Sequence, residues 1–292
     1  MRIGVIGANG QLGSDVCKAF EENGDDVTCL NHADIEVADS SGVSRCLGRI
    51  KPDLVVNTAA MHNVEACEAQ PELAFSVNGV GARNLAVAAA DIGFALVHVS
   101  TDYVFDGLKK QPYLESDAPL PLNVYGNSKL SGEYFVRTIA PSHCVVRVSG
   151  LYGINPCRAK GGRNFVTLML KLARERDEVR VVDDEVLTPT YTWDIARQLV
   201  KLASSGACGL FHVSAQGSCS WYRFAAEIFD LCGIETKLSV AGPGEFPAKV
   251  PRPSYSVLDN GEIRRLGIDV MPHWTEGLRS YLMALGALNR TL

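Results

Sequence analysis

The 292-residue sequence predicts an α/β fold, a doubly wound parallel sheet accompanied by a smaller α/β lobe. Strand-like and helix-like segments alternate through the first two-thirds of the chain. The strand-like segments are apolar without alternation, the pattern of a parallel sheet covered on both faces. A glycine-rich turn joins the first strand to the first helix.

The elements follow in order. Arg2-Ile3-Gly4-Val5-Ile6 reads as a short buried strand, and an amphipathic helix then runs through Val16, Ala19 and Phe20. Asp26–Leu30 is a second strand. A polar helix near 40–50 leads to Lys51-Pro52-Asp53 and the strand Leu54–Asn57. An Ala-rich helix is predicted over 71–92, with Leu73, Val77, Val80, Leu85 and Ala88 on its apolar side. Ala95–Ser100 is the fourth strand, and the helix carrying Lys129 precedes the fifth, Cys144–Val148. Beyond residue 150 glycines, prolines and short elements become denser, with no clean linker.

The chain has 47% hydrophobic residues, enough for a large core and a second lobe. A net charge of −5 without a basic block argues against a nucleic-acid partner. No apolar stretch reaches membrane-spanning length, and a first strand at residue 3 leaves no room for a signal peptide. A cytoplasmic protein is the expectation. The nine cysteines are odd in number and scattered, so buried reduced thiols are expected. No His or Cys cluster has metal-ligand spacing, and no metal site is expected.

Gly7-Ala8-Asn9-Gly10-Gln11-Leu12-Gly13 lies between the first strand and helix. Its glycines permit a tight turn, close approach of backbone to a pyrophosphate, and close helix-on-strand packing. The helix amino terminus adds its dipole and N–H groups. The same turn could serve packing alone. Ligands of such sheets bind beyond the carboxyl ends of the strands, where Gly7, Asn57-Thr58-Ala59-Ala60, Ser100-Thr101-Asp102 and Ser149-Gly150 all fall. Residues 1–150 are therefore expected to form a Rossmann-type dinucleotide-binding domain. Residues 151–292 are expected to form mainly a substrate-binding lobe, interleaved with the first domain.

Tyr125-Gly126-Asn127-Ser128-Lys129 sets a tyrosine and a lysine at i, i+4, on one helix face. A neighbouring cation favours phenolate and lowers a phenol pKa, which would make Tyr125 a proton donor and acceptor near neutrality. Alone, such a pair also fits an ordinary helix surface. The glycine turn and the Ser-Thr-Asp strand end upstream favour chemistry.

With these residues in view, the chain resembles the extended short-chain dehydrogenase/reductases, and within them the dTDP-4-dehydrorhamnose reductase family. The likeness runs nearly end to end. It includes Gly10-Gln11-Leu12-Gly13, Asn57-Thr58-Ala59-Ala60, the run from Val97 through Ser100-Thr101-Asp102-Tyr103 to Gly107, and Pro121 through Tyr125 and Lys129 to Glu133. Asn164-Phe165, Pro189-Thr190, Ser220-Trp221 and Arg252-Pro253 extend it through the second lobe.

The resemblance implies NADPH or NADH in the glycine cleft, held by Gly7, Gly10, Gln11, Leu12 and Gly13, with Glu36 and Val37 near the adenine. Ala59 and Ala60 would line the nicotinamide side, and Val99 would also border the coenzyme. Tyr125 and Lys129 would bracket the ribose and the reacting carbonyl. Tyr125, Lys129 and Thr101 are the implied catalytic residues. Tyr125 would give a proton to the keto oxygen, Thr101 a hydrogen bond, and Lys129 would lower the tyrosine pKa. The implied substrate is a nucleotide-linked 4-keto-6-deoxysugar, most plainly dTDP-4-dehydro-L-rhamnose, touched by Thr101, Asp102, Tyr103, His62, Val64, Gly150 and Arg252. A homodimer is the default assembly. Asn31-His32 after the second strand offers neither an acid for a ribose 2′-OH nor an arginine for a 2′-phosphate, which leaves the coenzyme open.

Three departures from the family pattern lie where the sugar should bind. Met61-His62-Asn63 replaces an aromatic or His followed by Thr, Gly150 stands where a Trp is usual, and the loop 154–163 is longer and more basic. His62 fits a loop histidine as well as a substrate ligand. Together they raise the hypothesis of a wider, more polar pocket and a preferred sugar other than dTDP-4-dehydrorhamnose, with the family reaction kept first. The alternatives are a reductase of another nucleotide-activated keto-sugar and a non-catalytic dinucleotide-binding subunit similar to the β subunit of methionine adenosyltransferase.

Overall fold

The computed structural model describes residues 1–156, 161–242 and 244–288. Strands β1 (Arg2–Ile6), β2 (Asp26–Leu30), β3 (Leu54–Asn57), β4 (Ala95–Thr101) and β5 (His143–Val148) alternate with helices α1 (Gln11–Glu22), α2 (Ser40–Ile50), α3 (Val64–Ala69), α4 (Pro71–Phe75), α5 (Gly81–Ile92) and α6 (Val124–Ile139). There follow β6 (Leu151–Tyr152), α7 (Phe165–Glu175), β7 (Glu178–Val181), β8 (Val186–Leu187), β9 (Thr190–Tyr191) and α8 (Thr192–Ser205). The chain closes with β10 (Gly209–His212), β11 (Cys219–Ser220), α9 (Trp221–Cys232), β12 (Lys237–Val240), α10 (Gly261–Arg265) and α11 (Trp274–Ala284).

Six strands form one sheet in the order β10-β5-β4-β3-β1-β2, and every pairing in it is parallel. The order reverses between β1 and β3. There the connections leave in opposite directions, and a crevice opens beyond the strand ends. Alternate strand residues feed opposite faces. Ile3 and Val5 pack with Val16, Phe20, Ile195 and Leu199 on one side. Ile6, Val55 and Leu96 pack with Val43, Leu47, Leu85 and Ala89 on the other.

Local chemistry sets the helix ends. The Asp39 side chain accepts from Ser41 N–H ahead of α2, and Asn123 accepts from Gly126 N–H ahead of α6. Asn164 and Thr167 form a reciprocal capping box on α7. The second lobe packs around Tyr152, Val166, Phe224, Ile228, Leu278 and Tyr281. Helix α8 lies on α1 and β10 extends the main sheet. Chain beyond residue 150 thus helps build the half that carries the glycine turn.

Two expectations need correction. The helix over 71–92 is interrupted by a π turn at Ser76–Val80, whose extra residue rotates the apolar phase. Leu73 and Val80 are therefore exposed, whereas Leu85 and Ala88 stay buried. Cys17 of α1 and Cys29 of β2 are not reduced thiols but form a disulfide, because packing α1 beside β2 brings the two side chains together. Cys46, Cys67, Cys144, Cys208, Cys219 and Cys232 are free, and Cys157 lies outside the described residues. Among the described residues no helix is long and apolar enough to cross a membrane.

Candidate active site

The carboxyl ends of β1, β3, β4 and β5 converge beside the amino end of α1. Gly7 turns the chain there with φ +81°, and a side chain on it would lie 2.9 Å from Ala59 N. A Cβ on Gly13 would stand 2.2 Å from Gly7 O, so α1 reaches the sheet only because residue 13 is glycine. Thr58 Oγ1 pins β3 to β1 by donating to Ile6 O at 2.7 Å. Gly10 caps α1 without any side-chain hydrogen bond. That leaves the first-turn N–H groups facing the crevice, the arrangement that receives a phosphate. The residues present therefore fit a dinucleotide pyrophosphate.

The remaining nucleotide-side residues divide by what their side chains do. Gln11 Nε2 donates to Gly153 O at 3.2 Å, joining the turn to the second lobe. Leu12 is buried in the core, so only its backbone faces the crevice. Val37 is buried against Gly81. Glu36 is half-exposed, accepts Ala38 N–H at 3.0 Å and lies 3.2 Å from His32. Ala59 and Ala60 are half-buried beyond β3.

Thr101 ends β4, and Tyr125 and Lys129 sit in the first turns of α6, which packs over β4. Lys129 is buried, and its Nζ donates to Val99 O at 2.6 Å and lies 3.5 Å from His98 Nε2. Burial lowers the Lys129 pKa to about 8, while Glu133 one turn on opposes the shift. Burial likewise raises the Tyr125 phenol well above its usual value, and a hydrogen bond with Thr101 partly offsets this. The expectation that Lys129 lowers the Tyr125 pKa is thus corrected. The ammonium points at the β4 carbonyl, and desolvation dominates the phenol.

Asp102 is buried. Ser149 donates to its Oδ2 at 2.8 Å and Thr101 to its Oδ1 at 3.0 Å. Burial raises its pKa, and the Ser256, Ser149 and Thr101 hydroxyls hold the rise back. Tyr103 meets Tyr125 edge-on with ring centroids 5.9 Å apart. Arg252 makes an ion pair with Glu65 of α3, and its Nε is buried without a hydrogen-bond partner among the described residues. Val64 opens α3 half-buried, and His62 is exposed.

Gly150 takes φ +60°, and a Cβ there would meet Thr188 O at 2.5 Å and Pro189 Cα at 3.0 Å. The space behind it is filled by the 187–189 segment, which overturns the reading of Gly150 as the missing wall of a wide pocket. Of the basic loop at 154–163, residues 157–160 lie outside the described residues.

Three groups beneath the site had no role assigned from the sequence. Asn57 and His98 stand under Lys129. Glu133 accepts from Arg147 Nε at 2.9 Å and from Ser100 Oγ at 2.5 Å. Asn57 and Glu133 stood within the quoted motifs, and His98 showed as a polar residue inside an otherwise apolar strand.

Comparison with known proteins agrees with this geometry. The model of the RmlD substrate binding domain matches residues 1–286. A spore coat polysaccharide biosynthesis protein of Bacillus subtilis, SpsK, is 42% identical over 95% of each chain. A solved dTDP-4-dehydrorhamnose reductase of Clostridium acetobutylicum superposes with TM-score 0.93 at 40% identity, covering 98% of this chain and 100% of that one. Another, from Bacillus anthracis and in complex with NADP, superposes with TM-score 0.92 at 36% identity, covering 97% and 99%. On full-length likeness of sequence and fold, the chain belongs to the dTDP-4-dehydrorhamnose reductase family.

Proposed function

We propose that this protein reduces the 4-keto group of a nucleotide-linked 6-deoxysugar, with dTDP-4-dehydro-L-rhamnose as substrate and dTDP-L-rhamnose as product. A bound NADPH or NADH supplies the hydride. Gly7, Gly10 and Gly13, with the backbone of Gln11 and Leu12, hold the pyrophosphate at the open end of α1. Glu36 and Val37 border the adenine, Ala59 and Ala60 the nicotinamide side, and Val99 also borders the coenzyme. Tyr125 gives its phenolic proton to the keto oxygen. Thr101 turns its hydroxyl from Asp102 to the same oxygen as charge grows there. Lys129 binds the cofactor ribose. Asp102, Tyr103, His62, Val64 and Arg252 border the sugar nucleotide, with Gly150 shaping the backbone beneath. Such substrates place the reaction in the cytoplasm.

The observation that carries this reading is Thr101 at the end of β4 with Tyr125 and Lys129 in the first turns of α6 over it, beside an α1 whose N-cap makes no side-chain hydrogen bond. Burial keeps Tyr125 protonated at neutral pH, which suits a donor in the reducing direction. A protein that only bound dinucleotide would have no chemical use for all three side chains. The test is oxidation of NADPH and NADH with dTDP-4-dehydrorhamnose and other nucleotide-linked 4-keto sugars. Turnover that falls about 10²–10⁴-fold in Tyr125→Phe, with coenzyme affinity kept, is the expected result. An unchanged rate in that variant would overturn the catalytic assignment. Coenzyme binding without turnover of any keto-sugar would instead indicate the regulatory-subunit reading.

A further inference from the structure

Beneath the active-site lysine runs a line of hydrogen bonds whose direction is fixed from one end. Asn57 Oδ1 accepts the backbone N–H of Ala59 at 3.1 Å. The amide nitrogen is therefore the atom turned toward His98 Nδ1, 3.0 Å away. That nitrogen has only hydrogens to offer, so Nδ1 accepts. Burial holds the imidazole neutral, and its single proton must then sit on Nε2. Nε2 lies 3.5 Å from Lys129 Nζ. An ammonium is donor-only, whereas an amine can accept. The His98 N–H thus faces a partner that it suits only when Lys129 is uncharged.

The packing holds this contact in place. Asn57, His98 and Lys129 are buried. Helix α6 passes close over the ring because residue 132 is glycine: a Cβ there would stand 3.3 Å from His98 Nε2 and 2.4 Å from Asn78 O. On its own helix Glu133 is the charged group acting on the lysine, itself tied to Arg147 of β5 and Ser100 of β4, and the Tyr125 phenol lies one turn before it without a hydrogen bond to Nζ. From the π turn and α5 the neighbours of Gly132 are the uncharged Asn78 and Ala82.

We propose that His98, its tautomer locked by Asn57, is a positioning residue that sets the proton state of Lys129. The lock starts at the Ala59 backbone, so a change in the loop bordering the coenzyme is passed to the lysine through two side chains. The link to turnover rests on the assignment of Tyr125 and Lys129 to catalysis, whereas the link to Lys129 protonation does not.

The test is made on the intact protein by NMR, without turnover. Labelling of the six histidines with ¹⁵N, the His98 signals being those lost in His98→Phe, is expected to show a neutral Nε2–H ring. A neutral Nδ1–H ring, or a charged one at neutral pH, would overturn the proposal. Asn57→Asp offers Nδ1 an acceptor and is expected to flip the tautomer. Lys129 titration, followed at its ¹³Cε, should then rise by about one unit or more. In the His98→Phe background the same substitution adds only the charge and should raise the titration less than half as much. Equal shifts in the two backgrounds would reduce the effect to charge alone and refute the relay. If the titrations behave as stated but Tyr125→Phe turns over normally, the catalytic reading fails and the proton-state inference stands.

Discussion

Lys129 is a buried cation held by a carbonyl oxygen and facing an imidazole, an arrangement that costs stability while the lysine is charged. Its folded pKa of about 8 lies below its ordinary 10.5, so between these values the unfolded chain binds the extra proton. Stability should rise with pH across that window, and the rise should vanish in Lys129→Met. The same variant should lose both turnover and coenzyme affinity; a change confined to thermal stability would make Lys129 structural. His212 shows the opposite flank of the pH range. Its Nδ1 donates to Tyr113 O and Asp259 O at 3.1 Å each, and burial lowers its pKa to about 3. Below pH 6.5 the unfolded state takes a proton that the native ring refuses. Native stability should therefore fall on acidification by at most about 1.4 kcal/mol per pH unit from this group. Denaturant melts of His212→Gln, which can keep one carbonyl contact without titrating, should show a shallower acid slope than the parent.

Among elements, the α1 turn and α6 carry the proposed function. In Gly10→Val a branched side chain would fill the mouth of the cleft, where a Cβ would meet Gly7 O at 3.2 Å and no other non-neighbouring atom of the described residues within 4 Å. Dinucleotide binding should be lost, and titration calorimetry with NADPH and NADH checks it; retained affinity for both would leave the turn a purely structural role. Helix α6 is fixed to the sheet by Arg147 and Glu133, which are 1% and 0% exposed. Arg147→Met would leave the Glu133 carboxylate buried and unpaired, at a cost of about 3–5 kcal/mol. Urea unfolding of that variant should show a loss of this size, larger than that of the double variant Arg147→Met with Glu133→Gln.

At the scale of the molecule, Gly150 is where the chain leaves the sheet for the second lobe, and its carbonyl accepts Thr190 N–H at 3.0 Å. Both its left-handed backbone and the contact with Thr188 O oppose any side chain. Gly150→Ala should therefore destabilise the protein by about 1–3 kcal/mol, read as a lower urea midpoint. With no open wall behind Gly150, the substrate preference follows the family reaction. Comparison of kcat/KM across nucleotide-linked 4-keto sugars should place dTDP-4-dehydrorhamnose first, and a clear preference for another would return the specificity to His62 and the loop beyond Ile154.

The sequence by itself determined the parallel α/β sheet, its first five strands within a residue of their ends, and the glycine turn. Unbroken apolar runs and glycines at 7, 10 and 13 are local signals that neighbouring structure reinforces. It also set Tyr125 and Lys129 one turn apart on a helix face, since residue type and spacing are readable without a fold, whereas the role proposed for Thr101 at the end of β4 rests on the family resemblance. Tertiary structure decided the rest. Strand β10 joins the main sheet from far along the chain, and Cys17 meets Cys29, through contacts that no local pattern encodes. The π turn moved Leu73 and Val80 to the surface by adding one residue to a helical period. Gly150 changed meaning once the 187–189 segment was seen to lie against it. Lys129 likewise turned to the Val99 carbonyl and His98 rather than to the phenol, because the partners of a buried charge are set by which strand passes beneath it.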